Sequence, residues 1–61
     1  MPLITVEGPA IAVEKKRELV RGLTEVAARV YGIPQIIVTI RENPPENVAI
    51  NGTLVADRGR T

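Results

Sequence analysis

The chain has 61 residues, of which 44% are apolar, and its eight basic and seven acidic residues leave a net charge of +1. It contains no cysteine and no histidine, which excludes disulfides and argues against a zinc or haem site. The balanced charge and the single aromatic residue argue against nucleic acid as a partner, since the chain offers neither a strong positive field nor platforms for base stacking.

A chain this short forms one domain, here residues 1–61, and on its own it buries only about 60% of the surface of its unfolded state. Neither a disulfide nor a metal can add stability, so association with further copies is the remaining source. The apolar content agrees, because a two-layer unit of this size cannot cover so many apolar side chains. We therefore predict a homo-oligomer without a persistent folded monomer.

No apolar run approaches the roughly 20 residues that a membrane span requires. The N-terminus also lacks the basic stretch followed by an apolar segment that is typical of a signal peptide. We expect a cytoplasmic protein without a membrane partner.

The first two predicted elements are a strand and a helix. Residues Leu3 to Glu7 read as a strand with alternating faces, and Gly8-Pro9 ends it. From about Glu14 apolar residues recur with helical spacing, and no capping side chain marks the start. Gly32 and Pro34 end this helix. Its apolar stripe comprises Leu19, Leu23, Val26 and Val30, widened by Val20, Ala27 and Tyr31.

The segment from Gln35 to Arg41 is apolar on both parities, which predicts a second strand with both faces buried. A strand, a helix and a strand predict a β-α-β unit with parallel strands and a right-handed crossover. Asn47 to Val55 reads as a brief hairpin that turns at Asn51-Gly52, and we expect it to extend a neighbouring subunit's sheet. The polar tail, residues 57–61, is expected to be frayed.

Pro2, directly after the initiator methionine, is the residue with the most unusual capacity for chemistry. Methionine before a small residue is normally removed, and the proline then becomes a secondary amine that can act as a base. An α-amino group titrates near about 8, and an apolar environment lowers that value towards neutrality. Such a base suits proton abstraction next to a carbonyl. The alternative is that Pro2 only begins the first strand.

Several segments together resemble the 4-oxalocrotonate tautomerase family of short-chain tautomerases. They are the opening Met1-Pro2-Leu3-Ile4, the helix EKKRELVRGLTEVAARVYGIP, the pattern Ile36-x-Val38-x-Ile40-x-Glu42, and Ala49-Ile50-Asn51-Gly52. The resemblance covers about residues 2 to 55. It implies an α+β fold, in which a β-α-β subunit with a short C-terminal hairpin forms a hexameric trimer of dimers with active sites between subunits. It also implies keto-enol isomerisation of a small-molecule carboxylate by Pro2 as general base, without a cofactor or metal.

The sequence departs from the family pattern at two arginines. Family members place one in the connector after the first strand, where this chain has Ala10-Ile11-Ala12, and one in the second strand, where it has Ile37. Those arginines bind a carboxylate and polarise the carbonyl. Losing one charge-assisted contact costs about 1.5–3 kcal/mol, or roughly 10- to 150-fold in rate. We therefore expect a slow tautomerase for dicarboxylates and favour monocarboxylates such as phenylenolpyruvate.

Other residues are candidates for contacting the substrate. Arg41 shares the strand parity of Ile37 and can supply a cation, or it is a solvated or interface residue. Thr39 offers a hydroxyl on the same face, and Val48 falls where family members carry an aromatic pocket wall. Lys16 either reaches the cavity or extends its ammonium to solvent, and Arg58 and Arg60 in the tail can cover a neighbour's pocket.

Two classes of function remain open at this point. The first is a cofactor-independent tautomerase of 2-hydroxydienoate or phenylenolpyruvate-like carboxylates. The second is a catalytically weak or inactive oligomeric binding module of the same fold, in which Pro2 has no catalytic role. The two differ in whether Pro2 is a free terminus inside a pocket.

Overall fold

The computed structural model describes residues 1–58, in which two strands flank one long helix along the chain. Strand β1 spans Leu3–Gly8, helix α1 spans Val13–Tyr31, and strand β2 spans Ile37–Glu42. A 3-10 turn, a hairpin and a second 3-10 turn follow. Their bounds are Pro45–Asn47, β3 Ala49–Ile50, β4 Thr53–Leu54, and Val55–Asp57. This confirms the predicted α+β architecture of a β-α-β subunit with a short C-terminal hairpin.

Strands β1 and β2 pair in parallel, from Leu3 opposite Ile37 to Gly8 opposite Glu42. Parallel neighbours require a long crossover, and α1 provides it. Side chains alternate along both strands, so that one face of the sheet is half-buried beside α1 and the other is open. The half-buried set is Ile4, Val6, Val38 and Ile40, and the open set is Leu3, Thr5, Glu7, Ile37, Thr39 and Arg41.

The prediction that both faces of β2 are buried is therefore wrong for the single chain. Ile37, on the open face, is 41% exposed. The physical reason is that a single helix covers only one side of a two-stranded sheet. The apolar character of the open face still calls for a cover, which in this small protein has to come from outside the chain.

Helix α1 begins and ends as the sequence signals suggest. Its N-cap is Ala12, without a side-chain hydrogen bond, and the Ala12 carbonyl accepts the first helical N–H groups. At the other end Gly32 adopts φ 69° and donates its N–H to the Ala28 carbonyl at 2.9 Å. In residues 1–58 no helix has both the length and the apolar content needed to cross a membrane.

The apolar stripe of α1 is wider than the sheet that it covers. Among the described residues only Ala27 is buried, at 8% exposure. Val26 is 50% exposed and Val30, nearer the end of the helix, is 74% exposed. The stripe predicted from helical spacing exists, but a two-stranded sheet is too narrow to contact all of it.

The C-terminal hairpin turns where the sequence predicts. Asn51 and Gly52 adopt φ 53° and 85°, and positive φ at both central residues is the mark of a tight two-residue hairpin turn. The N–H of Val55 then donates to the Val48 carbonyl at 2.7 Å. Ile50 remains 49% exposed. An isolated two-stranded hairpin is marginal in water, so it needs a further surface to pack on.

The tail predicted to be frayed is described only in part. Asp57 is the last residue of the second 3-10 turn, and the Arg58 N–H donates to the Val55 carbonyl at 3.1 Å. Residues 59–61 lie outside the described residues, and with them the proposed role of Arg60.

The dimensions of the chain are those of an extended subunit. Its radius of gyration is 15.3 Å, against about 10.5 Å for a compact domain of this length. Its accessible surface is 4987 Å², against about 3,900 Å² for a compact monomer of its mass. The chain therefore lacks the buried interior that makes a monomer stable.

We expect unfolding to depend on protein concentration, because a chain with so small a core gains its stability from contacts between copies. For a dimerisation step, each tenfold rise in concentration adds about 1.4 kcal/mol to the apparent stability. Urea denaturation followed by circular dichroism at a series of concentrations measures this. A midpoint that does not move would contradict the expectation.

We also expect Gly32→Ala to lower the free energy of unfolding by about 1–2 kcal/mol, because a β-carbon is strained in the left-handed region. Gly32→Asn is the matched control, since asparagine tolerates this conformation better. Thermal and urea unfolding of the two variants at one concentration tests the prediction. Equal losses in both would argue against backbone strain as the cause.

Candidate active site

Pro2 lies at the amino end of the parallel sheet. It is half-buried, and its carbonyl accepts the N–H of Ile37 at 3.0 Å. Proline has no backbone N–H, so the Pro2 nitrogen takes no part in the ladder. Met1 before it is 72% exposed and therefore accessible to removal. The structure thus holds Pro2 by its carbonyl and leaves its nitrogen at the tip of the strand.

The open face of the sheet carries a pair of hydroxyl groups. The Thr39 hydroxyl donates to the Thr5 hydroxyl at 3.2 Å, and the two residues are opposite each other in the register. Thr39, predicted as a substrate contact, thus has a partner within the chain. Thr5 was missed as a candidate, although its strand parity puts it on the same face. It keeps a hydroxyl proton that it can donate to a ligand.

Arg41 lies at the far end of the same face. It is exposed and opposite Glu7 in the register. Five residue steps separate Glu7 from Pro2 along β1, which is about 17 Å at the usual strand rise. The structure therefore does not bring Arg41 and Pro2 of one chain together.

An open groove of about 320 Å³ lies at the carboxyl ends of β1 and β2. Most of its wall is apolar, and its polar side chains are Glu7 and Asn43, joined by an Asn43 Nδ2 to Glu7 Oε1 hydrogen bond of 3.1 Å. The lining residues are Glu7, Gly8, Pro9, Asn43, Pro45, Val48 and Val55. We call this the carboxyl-end groove. The candidate wall residue Val48 is part of it, at the end of the sheet opposite to Pro2.

The residues that close β2 hold the connector between β1 and α1. Glu42 Oε2 accepts a hydrogen bond from Lys16 Nζ at 2.9 Å and one from the Ile11 N–H at 3.2 Å. The Asn43 N–H donates to the Gly8 carbonyl at 2.8 Å. Lys16 is thus paired with a carboxylate rather than extended into a cavity. The sequence offered no signal for this contact, since 26 positions separate the two residues.

The same contacts shift the acidity of Glu42. Hydrogen bonding from the Lys16 ammonium, followed by that from the Ile11 N–H, holds the pKa of Glu42 below its ordinary value of 4.5. Both donors favour the ionised carboxylate. Glu42 is therefore an anion at neutral pH with two specific partners.

The connector and strand positions at which the family resemblance implies arginines have no cation here. Ala10, Ile11 and Ala12 are exposed, and Ile37 presents an apolar side chain on the open face beside Leu3. Of the candidate cations, Lys16 pairs with Glu42 and Arg41 lies at the far end of the sheet. Arg58 is exposed at the end of the described chain.

The parallel β-α-β unit, the hairpin and the proline at the start of β1 define a tautomerase-type subunit. Residues 2–58 match the model of the family described as tautomerase enzyme, and the chain belongs to this family. Its resemblance to 4-oxalocrotonate tautomerases is thereby confirmed, and members of the superfamily are typically isomerases.

Solved structures agree with this assignment. A 4-oxalocrotonate tautomerase homologue is 38% identical with a TM-score of 0.86, over 95% of this chain and 97% of that one. DmpI from Archaeoglobus fulgidus is 48% identical with a TM-score of 0.84, over 92% and 100%. A heterohexamer 4-oxalocrotonate tautomerase from Chloroflexus aurantiacus J-10-fl is 27% identical with a TM-score of 0.79, over 95% and 97%. A comparison with curated proteins gave no match.

We expect the stabilising effect of Glu42 to disappear in acid. Because the pKa of Glu42 is lowered in the folded state, its contribution is complete above the unfolded value, near 4.5, and is lost as pH falls through the folded value. The difference in unfolding free energy between wild type and Glu42→Gln should be constant from about pH 7 to 5 and shrink below about pH 4.5. Urea titrations at each pH measure it, with Glu25→Gln as the control. A gap that persists unchanged to about pH 3 would contradict this.

Proposed function

We propose that the protein is a cofactor-independent keto-enol tautomerase that uses Pro2, freed by removal of Met1, as its general base. Its substrates are 2-hydroxydienoate or phenylenolpyruvate-like carboxylates, and we expect it to act in the cytoplasm. The observation that carries the proposal is the anchoring of Pro2 in a chain of this family. The Ile37 N–H holds the Pro2 carbonyl at 3.0 Å, while the nitrogen has no role in the sheet.

The reaction moves one proton and changes no oxidation state overall. The Pro2 amine takes the proton of the enol hydroxyl, the oxygen electron pair forms the carbonyl, and the conjugated π-electrons move to carbon. The protonated amine then delivers a proton to that carbon. In phenylenolpyruvate it is the carbon next to the new carbonyl, and in a dienol it is a more distant carbon of the conjugated system. Backbone amides, a hydroxyl or a cation would hold the developing oxyanion.

The base works best near its own pKa, which for an α-amino group is about 8 in water and lower in an apolar site. The residues next to Pro2 are apolar, because Leu3 follows it along the chain and Ile37 binds its carbonyl through the backbone N–H. These side chains favour the neutral amine, which is the form that accepts a proton.

We propose that the complete site lies between subunits. Pro2 is at the amino end of the sheet, whereas Val48 and the rest of the carboxyl-end groove are at the other end. One small substrate cannot touch both within one chain, so a groove that meets Pro2 has to come from another copy. The open sheet face, the exposed stripe of α1 and the hairpin are the surfaces available for the contact.

The assembly that we propose is a homohexamer built as a trimer of dimers. A relative of this chain is described as a heterohexamer 4-oxalocrotonate tautomerase, which supports six subunits. The surface of 4987 Å² on a 6.6 kDa chain supports extensive contacts with sister chains. In such an assembly Arg41 or Arg58 of a neighbouring copy can approach a substrate carboxylate that Arg41 of the same chain does not reach.

The expected substrate is a monocarboxylate. The resemblance implies two arginines, one in the connector and one in the second strand, where this chain has Ala10-Ile11-Ala12 and Ile37. Neither position therefore supplies a cation for a second carboxylate. The carboxyl-end groove is apolar apart from Glu7 and Asn43, which suits an aromatic or aliphatic end of the substrate better than a charged one.

We expect Pro2→Ala to lower kcat/KM for phenylenolpyruvate by about 100-fold or more, because a positioned general base contributes roughly 10²–10⁴-fold. Ketonisation is followed in the ultraviolet, and intact mass first establishes that Met1 is absent from both proteins. Wild type should also convert phenylenolpyruvate faster than 2-hydroxymuconate.

Two results would count against this function. Processed wild type that is no faster than buffer on either substrate would favour an inactive binding module of the same fold. Equal rates for wild type and Pro2→Ala would leave a tautomerase whose base is another group. A protein that retains Met1 serves as the matched control, since its Pro2 nitrogen is an amide without basicity.

A further inference from the structure

The connector between β1 and α1 is held from outside rather than by its own side chains. Gly8, the last residue of β1, and Pro9, the first residue of the connector, form part of the carboxyl-end groove. Ala12 caps the helix without a side-chain hydrogen bond. Asn43 binds the Gly8 carbonyl before the connector, and Glu42 binds the Ile11 N–H within it. The wall of the groove therefore lies between two points of attachment to the end of β2.

We propose that Glu42 is a positioning residue for substrate binding, which sets the place of the Gly8-Pro9 wall by holding the Ile11 N–H and the Lys16 ammonium. This inference rests on the proposed function, in which the carboxyl-end groove receives part of the substrate. Glu42 does not line the groove, so it acts through the connector and not by contact with substrate.

The geometry explains why Glu42 rather than Lys16 carries this role. One carboxylate oxygen receives both donors, at 2.9 Å from Lys16 Nζ and 3.2 Å from the Ile11 nitrogen. Removing Lys16 leaves the Ile11 bond in place, whereas removing Glu42 releases the connector and the start of α1 together. The connector has no capping side chain that can replace the lost acceptor.

The other charged groups near Glu42 do not compete with these two contacts. Lys16 approaches from α1 with a side chain that is 33% exposed, and the Glu42 side chain is 35% exposed. Glu7 on β1 has the opposite strand parity and accepts from Asn43. Arg41, the preceding residue on β2, points to the open face. Partial exposure means that the charge is screened, so the fixed direction of the hydrogen bonds matters more than the charge itself.

The test compares three variants of the full, processed protein with phenylenolpyruvate as substrate. Glu42→Leu removes the acceptor, Glu42→Gln keeps an acceptor without charge, and Lys16→Met removes only the ammonium. We expect KM to rise about 3- to 10-fold in Glu42→Leu, within the range that one ordinary hydrogen bond contributes, with kcat within about 2-fold. Glu42→Gln and Lys16→Met should stay within about 3-fold of wild type in KM. Glu25→Leu is the matched control on an exposed part of α1.

Hydrogen exchange at the Ile11 amide is the readout that does not depend on turnover. We expect faster exchange in Glu42→Leu and recovery in Glu42→Gln, while circular dichroism shows that both variants fold. If Glu42→Leu does not fold, Glu42→Ala replaces it, and a raised KM with faster exchange at Ile11 that Glu42→Gln recovers supports the proposal, whereas wild-type KM and exchange in Glu42→Ala overturn it.

The outcomes separate this inference from the proposed function. An active wild type whose Glu42→Leu variant keeps its KM, or keeps slow exchange at Ile11, overturns the positioning role and leaves the tautomerase function intact. A loss of kcat that Glu42→Gln does not recover would also overturn it, because a positioning contact restored by an uncharged acceptor should restore activity. A processed wild type without turnover overturns the proposed function and this inference together.

Discussion

The parallel pairing of β1 with β2 is the constraint on which the rest of the structure depends. Because the strands run in the same direction, all strand starts lie at one end of the sheet and all strand ends at the other. Pro2 is therefore at one end, held through Ile37, and the groove that contains Val48 is at the opposite end. A single chain therefore separates Pro2 from this groove, which is why the function that we propose requires association of chains.

The parallel pairing also explains why so much of the apolar surface stays exposed on the single chain. A crossover helix covers one face of a two-stranded sheet, and the other face stays open. The helix itself is only partly covered, so that Ala27 alone is buried among residues 1–58. The apolar groups that a larger domain would enclose stay exposed on the single chain. In our proposal, stability and the active site therefore depend on the same contacts between subunits.

The end of β2 connects the wall of the groove with the start of α1. Glu42 and Asn43 fasten the connector that carries the groove wall and, through Lys16, the start of α1. A helix without a capping side chain is positioned by a carboxylate from a distant strand, whose charge also suits the positive end of the helix dipole. In our proposal, packing at this corner sets the position of the groove wall without direct contact with a substrate.

The sequence by itself determined the elements, because helical and strand periodicity, Gly32 and the Asn51-Gly52 turn are local signals that tertiary contacts did not override. It also indicated the family and the candidate base Pro2, because the order of the motifs is recognisable in the sequence without knowledge of any contact. Only the tertiary structure decided which groups meet. The Lys16 to Glu42 pair spans 26 positions, and one face of β2 is open because one helix covers only one side of the sheet. Contacts between distant residues depend on how elements pack, and periodicity along the chain carries no record of that packing.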